Sequence, residues 1–533
     1  MIDQSRDLSN MAHAGDAEMT QVKSLSKKLA VGLGIVAAVF LLFLLEENLR
    51  GKIALHAYVR QLRARGEKLT LAELELPKGL PETDAASARV LEAARTLQAL
   101  RQRCPIALPF VPKLWWTAPG QVIVKTRQEE LRAGMVKFTP PTGVILLPDE
   151  QVREANYRRA TWSDLADQLA LAGEALAELR AALANHSGGL AIDYAHDPTR
   201  NWPAHVVMAG VVDWLGAAAI QDLRANHLRE ALENVAAILA YAEFLKPAAL
   251  PAWQDARLDA AEVGLDVTWH ILHAPQLSDA DLLRLQRVWS FDAVIGDLLK
   301  ALEVDRARQL RRYDEVRYSG REWCKIWIPL VGVHEPNPPD EYDSAWFLRD
   351  VRETAWLALW WAAWMDCDKL QYLKQAQWTV DLARRAAARK TIAEFSQSHD
   401  ELPAAQSNSD YRRFVLARQL APDTSPLYKG MVFETRREMT RTAIALERYH
   451  RRTRQYPAGL QELQPEFLAV LPHDWMDGRP LRYRLNRAGA YTLYSVGQDC
   501  RDDDGDPSAT DPSRLALIWD GRDAVWPQPA NLP

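Results

Sequence analysis

The sequence predicts a mainly α-helical protein with an N-terminal transmembrane helix, an irregular α-hairpin body and a small C-terminal α+β domain. Glycine is scarce, with 25 residues in 533, and alanine, leucine, arginine and glutamate dominate the middle of the chain, which favours helix. An uncharged apolar run covers residues 29–45. Strand-like alternation of apolar and polar residues is concentrated after residue 480. These patterns divide the chain into a disordered tail (1–22), an anchor with its following helix (23–66), the body (67–429) and the C-terminal domain (430–533).

The anchor is the run LAVGLGIVAAVFLLFLL at residues 29–45. As a helix it is about 25 Å long, near the lower limit for crossing a bilayer. Lys27 and Lys28 precede it and extend its reach by snorkelling. A cleaved signal peptide is the alternative, but Glu46 and Glu47 follow directly, without a small-residue cleavage site. We therefore expect an uncleaved anchor that continues as an amphipathic helix.

The orientation of this anchor does not follow from a simple count of charges, because basic residues flank it on both sides. Long trailing domains cross the membrane largely regardless of such charges. We therefore expect a single-pass protein of the bacterial cytoplasmic (inner) membrane, with a short cytoplasmic tail and an extracytoplasmic body.

The body is predicted to be a stack of helices, because apolar residues recur at helical spacing through most of it. No 34-residue period repeats cleanly, so irregular α-hairpins describe it better than tetratricopeptide repeats. Helices are predicted over residues 85–103, 160–185, 205–226, 228–245, 257–272, 279–289, 291–313 and 344–390. A segment rich in proline and aromatic residues (104–148), with a short strand near 143–147, and two polar loops (188–203 and 317–343) interrupt the helices.

Tryptophan is frequent, with 19 residues, and several share the 344–390 stretch. Their spacing of three, four and eight residues places several on one helix face, either in a buried core or along a ligand-binding groove. These residues are Trp346, Trp356, Trp360, Trp361, Trp364 and Trp378.

Composition and motifs exclude several functions. The net charge is −5 and the pI is near 6.2, so the chain lacks the basic excess of nucleic-acid-binding proteins. The sequence contains no G-x-S-x-G, H-E-x-x-H, P-loop or G-x-G-x-x-G motif, which favours a non-enzymatic role. His270 and His273 lie three residues apart on one predicted helix face. They are either structural residues or a pair of metal ligands. Cys104, Cys324, Cys367 and Cys500 form no C-x-x-C pair, and two disulfides or four thiols fit their spacing.

The C-terminal domain is predicted to join a helix to a hairpin. A helix over residues 434–451 precedes an Asp477-Gly478 turn signal. Leu481, Tyr483 and Leu485 then alternate with polar residues, as in a half-buried strand. A returning strand covers residues 491–495, and a closing strand is predicted over 515–519.

An aspartate-rich loop at 495–511 contains six aspartates and one arginine, Arg501. Crowded carboxylates repel one another, and a divalent cation would remove that cost. The loop therefore predicts a calcium site, with a solvated acidic turn as the alternative. It is not an EF-hand, because the glutamate at the twelfth position is missing.

The order of short motifs over about the last hundred residues resembles the globular domain of the major pseudopilin of type II secretion systems. That family has a long helix, a Tyr-Pro, a Leu-Pro-x-Asp hairpin, a Ser-x-Gly-x-Asp strand end and a calcium loop before a tryptophan. The corresponding residues are Tyr456-Pro457, Leu471-Pro472-x-Asp474, Gly478-x-Pro480, Tyr483, Tyr491, Ser495-x-Gly497-x-Asp499 and Trp519. The pseudopilin processing site is absent, and the anchor lies far from this domain.

The resemblance implies which residues hold calcium, because pseudopilin calcium ligands come from this loop. They are Ser495, Asp499, Asp502, Asp503, Asp504 and Asp506. The whole chain also resembles large single-anchor proteins of planctomycete- and verrucomicrobia-type bacteria, which implies an architecture and no reaction.

We therefore expect a membrane-anchored extracytoplasmic interaction or scaffold protein with a protein partner and a calcium-binding C-terminal loop. Two alternatives remain open. One is a membrane-bound hydrolase whose helical body carries a Trp-lined groove, and the other is a component of an envelope secretion apparatus.

Overall fold

The computed structural model describes residues 4–76, 85–103, 106–107, 125–126, 162–184, 189–190, 192, 194, 210–318, 352, 355–393, 413–487, 489–508 and 522–526. These residues are mostly helical, as predicted. They belong to two compact units. Unit 1 comprises Met1–Leu69, Gln309–Ala376 and Pro403–Ala421, and unit 2 comprises Thr70–Arg308, Gln377–Leu402 and Pro422–Pro533.

The regular elements follow in chain order. The helices are α1 (Gln4–Ala64), α2 (Ala85–Arg103), α3 (Trp162–Ala184), α4 (Val211–Arg224), α5 (Leu228–Leu245), α6 (Pro251–Leu272), α7 (Asp279–Val288), α8 (Ile295–Tyr318), α9 (Met365–Arg389), α10 (Val415–Gln419) and α11 (Ser425–Thr453), with a π-helix at Trp360–Trp364 and a 3₁₀ turn at Leu460–Leu463. The strands are β1 (Ile106–Ala107), β2 (Lys125–Thr126), β3 (Arg482–Leu485), β4 (Tyr491–Ser495) and β5 (Ala524–Trp526). Cys367 and Cys500 are free thiols, and Cys104 and Cys324 lie outside the described residues.

Helix α1 joins the apolar run to a folded core without a break. In the described part of the chain it is the one helix long and apolar enough to cross a membrane, with a mean hydropathy of 1.9 over a window that is 6% buried. The prediction of a disordered tail over residues 1–22 is wrong from Gln4 onward, where the chain is helical. Extending an existing helix is far easier than starting one, so the apolar run supports helix in the polar residues before it.

The second half of α1 forms the core of unit 1. Leu55 and Leu62 are buried there with Tyr313 of α8, Trp360 of the π-helix and Leu373 of α9. The continuation of the anchor is helical and amphipathic, but the face predicted to be apolar, with Leu49, Ile53, Ala57 and Arg60, is exposed. Leu55 and Leu62 form the buried face instead.

Asp368, which is fully buried, links four segments of unit 1. Its carboxylate accepts hydrogen bonds from the Tyr313 hydroxyl (2.8 Å), the Trp360 indole (2.7 Å) and the backbone N–H groups of Leu416 (2.9 Å) and Ala417 (2.6 Å). Asp368 thus satisfies donors at the start of α10 that the short helix leaves without partners. Burial raises the pKa of Asp368 to about 6, against the opposing effect of these four donors.

Unit 2 is built from consecutive helices that pack pairwise: α2 on α3, α4 on α5, and α5 on α6. The turn between α4 and α5 contains Asn226 at a positive φ of 61°, which asparagine tolerates better than most residues. Helix α7 begins with a capping box in which Ser278 and Asp281 bond each other's backbone N–H. Helix α6 begins at Pro251, six residues before the predicted start, because proline suits the first helical turn.

A row of acidic residues on α6 faces basic residues of α11. Asp255, Asp259, Glu262 and Asp266 follow at helical spacing on one face of α6. Lys429 pairs with Asp255 (2.9 Å) and Asp259, and Arg436 pairs with Asp266 (2.8 Å). Asp266, Glu262 and Arg436 are buried, so this pairing lies inside the unit and not on a solvated face.

Glu262 is 2% exposed, its Oε1 has no hydrogen-bond partner, and burial raises its pKa to about 7. Arg436 and Lys429 oppose this rise, while Asp266 and Asp259 add to it. Because the pKa in the folded state exceeds that in the unfolded chain, the stability that Glu262 contributes is complete below pH 4.5 and is lost as the pH rises through 7.

We therefore predict that Glu262→Gln raises the free energy of unfolding above pH 8 by about 2 kcal/mol and changes it little at pH 4.5. Urea denaturation of wild type and variant at both pH values measures this. Glu230→Gln, at a half-exposed acid in the first turn of α5, is the control and should show no such pH-dependent gain. An equal effect of Glu262→Gln at both pH values would contradict the assignment.

Strands β3, β4 and β5 form an antiparallel sheet in that order. The first two match the predicted hairpin, with Tyr483 opposite Leu493. The third strand is Ala524–Trp526, whereas the predicted closing strand over residues 515–519 lies outside the described residues.

This sheet packs on the helices of unit 2. The Trp526 ring meets that of Trp269 on α6 edge-on at 4.5 Å, and the Trp475 N–H donates to Thr435 Oγ1 on α11 (3.0 Å). The predicted boundary between a body (67–429) and a C-terminal domain (430–533) therefore falls inside unit 2, which includes Pro422–Pro533 and much of the helical body. Sequence reasoning placed this boundary within α11, a single helix that begins at Ser425.

Candidate functional site

The predicted calcium ligand Ser495 ends β4 and points into the protein. It is fully buried, and its Oγ donates to Asp474 Oδ1 at 2.8 Å. Asp474 is equally buried and also accepts from the backbone N–H groups of Met476 and Val496, both at 3.0 Å. Burial raises the pKa of Asp474 to about 6 despite these donors. Ser495 is therefore bonded to a buried carboxylate and not directed at the acidic loop.

Arg482 of β3 neutralises the start of the acidic loop. Its guanidinium contacts Asp474 (3.1 Å), Asp477 and Asp502 (3.3 Å), and its side chain is 14% exposed. Partial burial would raise the pKa of Asp502, but the Asp504 N–H, the Tyr494 hydroxyl and the Arg482 charge together lower it. The positive charge of Arg482 thus offsets the repulsion between these carboxylates, which was the role predicted for a bound cation.

Asp523, the residue just before β5, accepts hydrogen bonds from the backbone in the middle of the acidic loop. One of its carboxylate oxygens accepts the backbone N–H groups of Gly505 (2.6 Å), Asp503 (3.1 Å) and Asp506 (3.2 Å). Asp504 and Gly505 have positive φ angles of 62° and 74°, which let successive N–H groups converge. Burial raises the pKa of Asp523, and the three N–H groups oppose the rise.

The remaining predicted ligands point to solvent or bond their own loop. Asp499 is exposed and accepts from the Arg501 N–H (3.0 Å), and the Asp504 side chain is 91% exposed. Asp506 accepts from the N–H (3.0 Å) and hydroxyl (2.9 Å) of Ser508, which lowers its pKa. Among the described residues, no group of three or more His, Cys, Asp or Glu side chains is placed to hold a metal ion.

Among the described residues, the interior of the loop presents backbone N–H groups, whereas calcium takes oxygen ligands, so the calcium site stays a prediction. The converging N–H groups bind an anion, and that anion is the Asp523 carboxylate. Asp511 lies outside the described residues. Sequence reasoning missed Asp523 and Arg482, because each approaches the loop through strand pairing.

We predict that Asp523→Ala lowers the free energy of unfolding by about 2–3 kcal/mol, since it leaves three N–H groups of a half-buried loop without their acceptor. Asp504→Asn is the matched control, because Asn tolerates the positive φ and the side chain is exposed; it should cost less than about 0.5 kcal/mol. Thermal melts of the full chain, with and without millimolar calcium, measure both. A calcium-dependent rise in the melting temperature that Asp504→Asn abolishes would contradict this account and support the predicted calcium site.

His270 and His273 line a cleft of about 230 Å³ in unit 2, beside Trp162, Arg224 and Gln276. Burial, together with the nearby His273, lowers the pKa of His270 to about 4, so His270 is neutral at pH 7. His273 Nδ1 lies 2.8 Å from the Trp269 carbonyl, and Arg224 stacks 4.6 Å above the Trp162 ring.

Two imidazoles supply half of the four ligands that a structural zinc takes. Among the described residues, no third His, Cys, Asp or Glu side chain joins this pair. The cleft around it is small and mainly apolar.

The tryptophans of the 344–390 stretch pack mainly in cores. Trp360 and Trp364 are buried in unit 1, and Trp356 stacks on Trp364 at 5.2 Å. Trp361 is 46% exposed, whereas Trp346 lies outside the described residues. Among the described residues, Trp356, Trp360 and Trp364 thus belong to the core of unit 1.

A buried polar site near the apolar run is centred on Glu47, which follows the run almost directly in the sequence. It is 5% exposed, although Leu45 two residues earlier is 55% exposed. Its carboxylate accepts from the Trp364 indole (3.0 Å), Arg413 (2.8 Å) and Arg50 (3.1 Å). A buried carboxylate with charged partners thus lies directly where α1 leaves the apolar run.

Comparison with known proteins finds no matching family model, no matching curated protein and no matching solved structure. The resemblance to the major pseudopilin therefore stays a prediction from motif order.

Proposed function

We propose that the protein is a membrane-anchored interaction or scaffold protein whose unit 1 is fixed to its anchor by one continuous helix. The observation that carries this proposal is the burial of Glu47 within two residues of the exposed apolar run. A flexible tether would leave its exit residues in water. Here Trp364 and Arg413 bond Glu47 directly, so the anchor and unit 1 share one rigid element.

A role in binding is favoured over catalysis by the state of three buried acids. Asp266 is paired with Arg436, Asp368 accepts four hydrogen bonds, and Asp474 is held by Arg482 and three other donors. Catalytic acids are usually poised in a cleft where substrate can reach them. These carboxylates are instead committed to partners inside the fold, as structural groups are.

The orientation that we propose places both units outside the cytoplasm, supported by the tendency of long trailing domains to be translocated. The partner would then be another envelope protein.

Membrane fractionation with alkaline carbonate tests the anchor. The wild type should stay in the pellet, while the double variant Leu33→Arg/Leu42→Arg should be released, because each central arginine costs roughly 2.5–3.5 kcal/mol of insertion energy. Leu49→Arg/Ile53→Arg is the matched control, at exposed apolar residues just beyond the run, and should stay in the pellet. Release of the wild type itself would refute the anchor.

Reporter fusions at the C-terminus test the orientation. An alkaline phosphatase fusion should be active. A green fluorescent protein fusion should be dark, because this protein does not become fluorescent when it is exported in unfolded form. The opposite pattern would place the folded part in the cytoplasm and leave the anchor intact.

A further inference from the structure

The Trp-rich segment of unit 1 lies beside the point where α1 leaves the apolar run. The Asn48 side chain donates to the Ala362 carbonyl at 2.6 Å, and the Trp364 indole bonds Glu47. One turn further along α1, a Cβ on Gly51 would lie 2.8 Å from Cys367 Sγ. Glycine at this position therefore permits a close approach of the two helices.

These contacts also give the direction of the two segments. Asn48 meets Ala362 and Gly51 meets Cys367, so both segments run the same way along their axes. Residues 355–359 consequently lie alongside the part of α1 before Glu47, where the apolar run ends. Leu44 agrees with this, because it is half-buried against the same core as Trp356 and Leu359.

The segment that runs back along the apolar run is itself suited to lipid. Residues 355–365 read AWLALWWAAWM and contain no charged side chain. They are helical or π-helical throughout, so their backbone groups are largely satisfied within the segment. Trp361 is 46% exposed, and Ala355, Ala358 and Ala362 are also exposed. An exposed tryptophan next to a membrane exit is typical of the aromatic belt at the bilayer interface.

We propose that residues 355–364 form a second membrane contact, in which the exposed face around Trp361 enters the lipid headgroup region beside α1. This inference rests on the proposed function, because it requires α1 to cross a bilayer. The occupant of the face is lipid, since the contacts of Asn48 and Leu44 place this face beside the end of the apolar run. The contact would hold unit 1 against the membrane at two points instead of one.

Photocrosslinking from an aromatic probe tests this contact in the full chain reconstituted into vesicles of phosphatidylethanolamine and phosphatidylglycerol. p-Benzoylphenylalanine replaces Trp361, Leu42 or Arg60 in separate samples, and mass spectrometry counts lipid adducts after irradiation. Leu42 is the positive control within the apolar run. Arg60 is an exposed position of α1 about 20 Å beyond Glu47 along the helix axis.

We expect lipid adducts at position 361 at more than half the yield at position 42, and a yield at position 60 at least tenfold lower. Adducts at 42 without adducts at 361 would overturn the second contact and leave the anchor standing. No adducts at 42 would overturn the anchor and this inference together. Circular dichroism of each labelled protein checks that the fold is retained.

Discussion

Replacing Asp368 with alanine is expected to destabilise unit 1 by at least about 4 kcal/mol, because it leaves four buried donors without an acceptor at about 1–3 kcal/mol each. The affected donors are the Tyr313 hydroxyl, the Trp360 indole and two N–H groups of α10. Whole domains are typically stable by only about 5–15 kcal/mol, so a loss of this size should unfold much of unit 1.

Tyr313→Phe is the matched control for Asp368→Ala. It removes one of the four hydrogen bonds and leaves no donor unsatisfied, so it should cost about 1 kcal/mol. Limited proteolysis of the membrane-reconstituted chain reports on the result, since cleavage should increase within residues 355–376 and 413–421. If Asp368→Ala and Tyr313→Phe are equally resistant to protease, the carboxylate is not the link between these segments.

Arg436→Met should lower the free energy of unfolding of unit 2 by about 3–5 kcal/mol at pH 7, the usual cost of removing one partner of a buried ion pair. Arg436 is 1% exposed and offsets the charge of Asp266 and Glu262 on α6. Burial already raises the pKa of Asp266 to about 6, and loss of the arginine raises both carboxyl pKa values further.

The cost of Arg436→Met should therefore shrink towards pH 5, where both carboxyls take up protons in the folded variant. Adding Asp266→Asn should recover part of the loss at pH 7. Arg441→Met, on the same helix at a more exposed position, is the control and should cost less than about 1 kcal/mol. Chemical denaturation at pH 5 and pH 7 measures all of these, and a pH-independent loss would exclude the electrostatic explanation.

The boundaries of a helix could be predicted from the sequence where nearby residues determine them. The ranges 85–103 and 228–245 were predicted to the residue, because apolar periodicity and flanking turn residues specify them locally. The start of α6 was missed by six residues, although Pro251 at the first turn was a readable signal. The hairpin of β3 and β4 was found because alternation marks both strands. The Asp477-Gly478 turn lies before β3, between the bridged residues His473 and Pro480, and the two strands are joined by residues 486–490.

The candidate site was not predictable in the same way, because its interactions join residues distant in sequence. Asp523 reaches the acidic loop only after β5 pairs with β4, and Arg482 reaches it from β3. In the sequence, six aspartates are accompanied by one arginine, so their mutual repulsion predicted a bound cation. In the fold, Arg482, Arg484 and Arg522 approach the same carboxylates and supply that charge. Glu47 was likewise visible in sequence, whereas its partners Trp364 and Arg413 were not.

The unbroken passage of α1 from the apolar run to Leu62 has a mechanical consequence. If the anchor crosses a bilayer, then thinning or thickening of the bilayer changes its tilt. With Glu47 and Gly51 held against the 362–367 segment, unit 1 would turn with the helix as one lever. The orientation of unit 1 above the membrane would then report on lipid thickness without any change inside its core.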